Sequence, residues 1–145
     1  MNEDEEDLDR RNAPSRYFFG AVPVFLVDDV LVTAEYYRET LGFELNFLYG
    51  EPPTYASVSR DDAILNFSLA SPMGRRNGMP GAGAGNGVDV LFIVKDIDEV
   101  YDELKLRGAE ITLELETQVY AMREFQIRDM NGYIIAIAEE VDTEP

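Results

Sequence analysis

Histidine and cysteine are both absent from the chain, while 29 aspartates and glutamates stand against 12 lysines and arginines, a net charge of −17. Losing histidine removes the commonest metal ligand and the usual proton carrier near neutral pH. Losing cysteine removes disulfides, thiolate metal sites and thiol nucleophiles. Any acid–base chemistry therefore falls to carboxylates or tyrosines, and any metal to oxygen ligands alone. A field this negative disfavours nucleic acid and anionic membranes and attracts cations, though acidity also serves solubility or a saline host. The pair Arg75-Arg76 lies among glycines, but no GxxxxGK[ST] spacing accompanies it, so no phosphate cradle is expected.

A repeated grammar positions these groups. Val22–Val27 reads as a buried strand, with Pro23 at its start or edge because proline cannot donate to a ladder. Asp28 or Asp29 can cap the helix that follows; Val30, Ala34, Tyr37 and Leu41 share one face, and Gly42 ends it. Phe43, Leu45, Phe47 and Tyr49 alternate at strand period, and Tyr55–Val58 and Ala63–Leu69 give two more strands around an Arg60-Asp61-Asp62 turn. The pattern returns about 67 residues later. Val90–Val94 is a strand, and Asp96 with Glu99 resembles a capping box. Ile97, Val100, Tyr101 and Leu104 form the buried helix face, and Gly108 is the stop. Ile111–Glu116, Met122–Ile127 and Tyr133–Ala138 follow as strands, the last two joined by Asp129-Met130-Asn131-Gly132. The offset exceeds the roughly 20–50 residues of solenoid repeats. It indicates an α+β chain of two βαβββ modules facing one another.

The boundaries follow from composition. Residues 1–19 form an acidic tail or arm, in which Tyr17-Phe18-Phe19 should pack on the domain or on a second subunit. Residues 20–72 make the first module, 73–87 a glycine-rich linker, 88–140 the second module and 141–145 an acidic end. The N-terminus lacks the basic-then-apolar order of a signal peptide, and no apolar run approaches the roughly 18 residues of a membrane span. A cytoplasmic protein is expected.

From Gly20 to Glu140 the chain resembles the vicinal oxygen chelate superfamily, which groups glyoxalase I, extradiol dioxygenases, fosfomycin-resistance enzymes and bleomycin-resistance proteins. The carrying residues are the Val-x-Asp before each helix, Tyr36-Tyr37 with Leu41-Gly42-Phe43, and REFQIRDMNGYIIAIAEE from Arg123 to Glu140. The resemblance implies the glyoxalase/bleomycin resistance fold, a cupped mixed sheet and a dimer. The superfamily's enzymes hold a metal on four strand positions, which fall near Val22, Asn66, Asp89 and Ala136. That set offers one carboxylate and one amide, so neither metal nor cofactor is expected.

Within the superfamily the chain is most similar to the bleomycin-resistance branch, through AVPVF, Glu35-Tyr36-Tyr37, Arg60-Asp61-Asp62 and Arg123-Glu124-Phe125. That branch implies a metal-free, acidic homodimer that sequesters a cationic glycopeptide, with Pro23 at the hinge of an exchanged N-terminal strand. The ligand-binding positions it implies are Phe47, Tyr55, Ser68, Asp89, Leu91, Tyr120, Arg123 and Glu124. Leu91 stands where an indole is expected, and the chain has no tryptophan. Arg123 and Glu124 are expected to form an ion pair at the cleft mouth. The leading expectation is a binding protein without catalysis. One alternative is a lyase, isomerase or dioxygenase whose metal is held by Asp89, Glu124 and further acids. Another is an interaction module working through its acidic tail.

Overall fold

The computed structural model describes residues 17–70 and 87–142. Most of the acidic N-terminal block, the glycine-rich linker and the last three residues lie outside the described residues. The first module runs β1 (Val24–Val27), α1 (Val30–Glu39), β2 (Glu44–Tyr49), β3 (Tyr55–Arg60) and β4 (Ala63–Leu69). The second runs β5 (Val90–Ile93), α2 (Ile97–Leu106), β6 (Glu110–Thr117), β7 (Met122–Arg128) and β8 (Ile134–Glu140). Each module is a four-stranded mixed sheet, ordered β1-β4-β3-β2 and β5-β8-β7-β6, with the first strand parallel to the last across the helical crossover. The βαβββ reading and the α+β class are what the structure shows.

Local chemistry accounts for the element ends. Asp29 caps α1 by accepting from Val32 N at 2.9 Å, a contact worth about 1 kcal/mol. Val30, Ala34, Tyr37 and Leu41 are all buried, as their spacing requires. Pro23 sits just ahead of β1, where its carbonyl accepts from Asn66 N. The capping box expected at α2 does not form. Asp96 adopts φ 57°, and its side chain caps nothing. The carboxylate of Glu139 instead takes the N–H groups of Asp96 and Ile97, both at 3.1 Å. An acid from β8 thus meets the positive end of α2.

The strand alternation of β2 is broken. Leu45 pairs with Val58 but Phe47 pairs with Ser57, so Asn46 is an extra residue in the ladder. Leu45 therefore points with Val58 towards the helix side, while Phe47 points with Ser57 to the opposite face. A strict period of two had placed both on one face. Tyr17, Phe18 and Phe19 are 83–90% exposed.

The two modules join through their helix-bearing faces, and one hydrophobic core runs through both. Tyr133 of module two stacks on Phe25 of module one, with centroids 4.1 Å apart, and its hydroxyl donates to Leu26 O at 2.7 Å. Phe43 meets Phe92 at 5.9 Å. At the other end Arg60 grips Glu103 through both its nitrogens (2.6 and 3.0 Å) and donates to Leu41 O, while Arg107 binds Glu103 and Glu39 O. These arginines cap the carbonyl end of α1. Gly42, at φ +75°, lies so close that a Cβ would stand 2.8 Å from the Arg60 guanidinium.

The buried centre of the joint is Asp129. Its carboxylate accepts from Tyr37 OH at 2.6 Å, Asn131 N at 2.8 Å and Tyr133 N at 3.0 Å. Burial pushes its pKa above the usual carboxylate range, although all three donors pull it down. Burial and the same carboxylate hold the Tyr37 hydroxyl well above its ordinary value and push Tyr36 up to about 12. Unfolded, both phenols ionise near 10. The folded chain thus binds more protons above that pH, and stability falls as pH climbs from 10 towards 12. Tyr37→Phe, which strands the carboxylate without its hydroxyl donor, should cost about 1–3 kcal/mol at neutral pH in chemical denaturation. Its melting temperature should also fall less steeply than the wild type's above pH 10. An equal alkaline slope would show that Tyr37 does not carry the effect.

Candidate ligand-binding face

Joining the modules by their helix sides leaves the other face of each sheet open. On module one, the bulge at Asn46 turns Phe47 onto this face, where it lies over Tyr55 with centroids 6.3 Å apart and planes 12° from parallel. Ser68 pairs directly with Tyr55 and so shares the face. A polar ladder continues beside the rings. Asn46 donates to Ser57 Oγ at 3.1 Å and accepts from Ser59 Oγ at 2.9 Å. Asn66 donates to Tyr55 OH at 3.1 Å, and its own Oδ1 is buried with no hydrogen-bond partner. A buried, unpaired amide oxygen costs free energy that a ligand N–H would recover. Phe47 remains about half exposed, at 48%.

On module two the corresponding face carries Leu91, paired with Ala136, and Glu124, paired with Ala138. Leu91 is 50% exposed. Tyr120 donates its hydroxyl to Glu124, which raises the Tyr120 pKa. The expected Arg123–Glu124 ion pair does not form, because strand neighbours point to opposite faces. Arg123 turns to the helix side and holds Asp98 of α2 at 2.8 and 3.2 Å, and these hydrogen bonds, with its charge, lower the Asp98 carboxyl pKa. Asp89 lies ahead of β5 and accepts from Ile134 N at 2.8 Å, close enough to Asp129 to help raise its pKa. Of the eight expected positions, Phe47, Tyr55 and Ser68 therefore come together. Leu91, Glu124 and Tyr120 gather on the other sheet, while Asp89 is bonded to Ile134 N and Arg123 to Asp98.

Asn46, Ser57, Ser59 and Asn66 were absent from the expected ligand-binding set. Their signal was polar residues spaced through otherwise apolar strands, obscured by the one-residue bulge. The superfamily's metal positions do not fit an ion here. Val22 precedes β1, Asn66 offers one amide oxygen, Asp89 is tied to backbone and Ala136 has no donor. Among the described residues no three acidic side chains converge on a point. A separate cavity of about 340 Å³ lies between the modules on the helix side, away from Phe47 and Tyr55.

Residues 21–137 match the model of the Glyoxalase/Bleomycin resistance protein/Dioxygenase superfamily. The chain belongs to that superfamily. Among solved structures it is similar to TioX from Micromonospora sp. ML1, with 19% identity over 84% of this chain and 100% of that one, and a TM-score of 0.66. A superfamily member from Sphaerobacter thermophilus DSM 20745 is 26% identical over 87% and 100% of the two chains, with a TM-score of 0.65. The bleomycin-binding protein of bleomycin-producing Streptomyces verticillus, complexed with copper(II)-bleomycin, is 24% identical over 88% and 99%, with a TM-score of 0.62. A search of curated proteins found no match. Among the described residues no helix is long and apolar enough to cross a membrane.

If Asn66 is kept for a ligand rather than for the fold, the free protein gains little from its amide. Asn66→Ala should then change unfolding free energy by no more than about 1 kcal/mol, in either direction. A larger loss on urea denaturation would make it a structural residue.

Proposed function

We propose that the protein binds and sequesters a cationic or aromatic small molecule, without metal and without chemical change, on the open face built around Phe47 and Tyr55. The observation that carries this reading is the nearly parallel Phe47–Tyr55 pair beside the orphaned Asn66 Oδ1. Flat apolar rings next to one unsatisfied acceptor suit a planar ligand bearing an N–H donor. The net charge of −17 adds long-range attraction for a cation. The bleomycin-binding relative supports the ligand type: a glycopeptide with planar heteroaromatic and cationic parts.

A second copy of the chain completes the site in this reading. Phe47, Tyr49, Leu91 and Ile93 are all exposed, more apolar strand surface than a monomer ordinarily leaves uncovered. Laying the Phe47 face of one copy against the Leu91 and Glu124 face of another would cover it and enclose a ligand. The exposed Tyr17–Phe19 arm would add to the same contact. Cytoplasmic residence fits sequestration of a drug that acts inside the cell.

Calorimetric titration of the metal-stripped protein with a bleomycin-type glycopeptide, at low and moderate salt, tests the reading. The expected result is saturable binding at one ligand per subunit, weaker at higher salt. Phe47→Ala and Tyr55→Ala should each weaken it about tenfold or more, near 1.4 kcal/mol. Arg123→Ala, whose side chain is engaged by α2, should leave affinity unchanged. Absence of heat at both salts would remove this drug class. Binding that required added divalent metal would overturn the metal-free mechanism. Sedimentation equilibrium should give a dimer; a monomer at micromolar concentration would reject the two-copy site.

A further inference from the structure

The two modules are related residue by residue, and the strand registers fix the relation. Val58 pairs with Leu65 in one half, and Ile127 with Ile135 in the other, each facing the core. One step further on, Arg60 pairs with Ala63, and Asp129 N bonds Tyr133 O. Ala63 is therefore the counterpart of Tyr133. Counting the other way, Phe67 matches Ile137, and through them Phe25 matches Phe92.

Tyr133 crosses the joint and lays its ring on Phe25, completing the core of module one. Its counterpart Ala63 has only a methyl group to offer to Phe92. The cavity of about 340 Å³ lies at this place, with Ala63 and Phe92 in its wall along with Phe43, Val100 and Leu104. It is the twofold image of the tyrosine's seat, left unfilled. An apolar cavity of roughly 150 Å³ already holds benzene. This one has room for a substituted ring. Its charged lining residues are Asp61, Asp62, Lys95 and Arg60; with Arg60 paired to Glu103, two carboxylates face Lys95, in a chain that is acidic as a whole.

We propose that this inter-module cavity is a second binding site, distinct from the Phe47–Tyr55 face. Its ligand is a small phenol with a neutral or cationic substituent, the ring lying on Phe92 as Tyr133 lies on Phe25. Apolar burial drives entry, and Asp61 and Asp62 select against an anionic tail. Because its lining residues all belong to one chain, the site does not depend on a second copy or on the function of the open face.

The test uses p-cresol, the side chain of tyrosine as a free molecule, followed by methyl resonances of Val100 and Leu104. Wild type should show saturable shifts at these methyls. Ala63→Tyr, which supplies the missing ring covalently, should lower affinity at least tenfold with a melting temperature equal to or above that of the wild type. Val100→Phe, filling the space from α2, should also lower affinity at least tenfold. Tyramine should bind at least as well as p-cresol, and 4-hydroxyphenylacetate more weakly. The proposal is overturned if p-cresol does not saturate, or if both filled variants bind it undiminished. It is equally overturned if Phe47→Ala rather than Ala63→Tyr abolishes binding, or if the anion binds best. An Ala63→Tyr chain that melts far below wild type would show that no tyrosine-sized space exists there, and would overturn it too.

Discussion

The relative placement of the two modules depends on one buried carboxylate. Asp129 lies in the β7–β8 turn of module two, yet it accepts the hydroxyl of Tyr37, which stands at the centre of module one's core against Phe43 and Phe67. A charge removed from water is costly, and here three donors offset it. An asparagine could not accept all three so well, since one end of its side chain is a donor. The turn can therefore sit in only one position against α1, and Asn131 reinforces it by donating to Thr33 Oγ1 at 3.1 Å. With the helix-bearing sides locked together, both remaining sheet faces are turned to solvent. The open face around Phe47 and Tyr55 is a consequence of the joint.

The joint is reciprocal in plan and unequal in chemistry. Each β-hairpin turn reaches across to the other module's helix: Asp129 to Tyr37 of α1, Arg60 to Glu103 of α2. The first contact is buried and uses a neutral donor. The second is a partly exposed ion pair that doubles as the C-terminal cap of α1. Exposed pairs contribute little on average, but this one is bidentate and braced by Arg107, which makes it a network rather than a single contact. The two ends of the joint therefore respond to different conditions. Salt screens the Arg60 end, while the Asp129 end is governed by protonation.

Much of this was legible in the sequence because it is periodic. Helix faces, glycine stops and the doubled βαβββ order follow from spacing, and Val30, Ala34, Tyr37 and Leu41 are buried together as that spacing requires. What spacing could not carry was anything set by a partner distant along the chain. Asp96 has the right type for a cap, but Glu139, 43 residues on, fills the role. Arg123 adjoins Glu124 in the chain, yet its partner is Asp98, 25 residues back. The aromatic pair was found, but the ladder beside it was missed. A single bulge residue, Asn46, reverses every side chain after it, and alternation alone does not reveal an insertion of one.

The same residue-to-residue relation shows how unlike the two open faces are. On the open faces Asn66 corresponds to Ala136, Tyr55 to Glu124 and Ser68 to Ala138. One half carries rings and amides, the other small residues and a carboxylate. Two identical faces would present ring to ring and leave the charge unpaired; unlike faces can offer a stacking surface on one side and a shallow acidic floor on the other. The open faces are not simply apolar. Asn66 Oδ1 is buried there without a partner, a cost the free protein bears. In the reading proposed above, binding free energy would come from burying rings and satisfying one amide rather than from coordination.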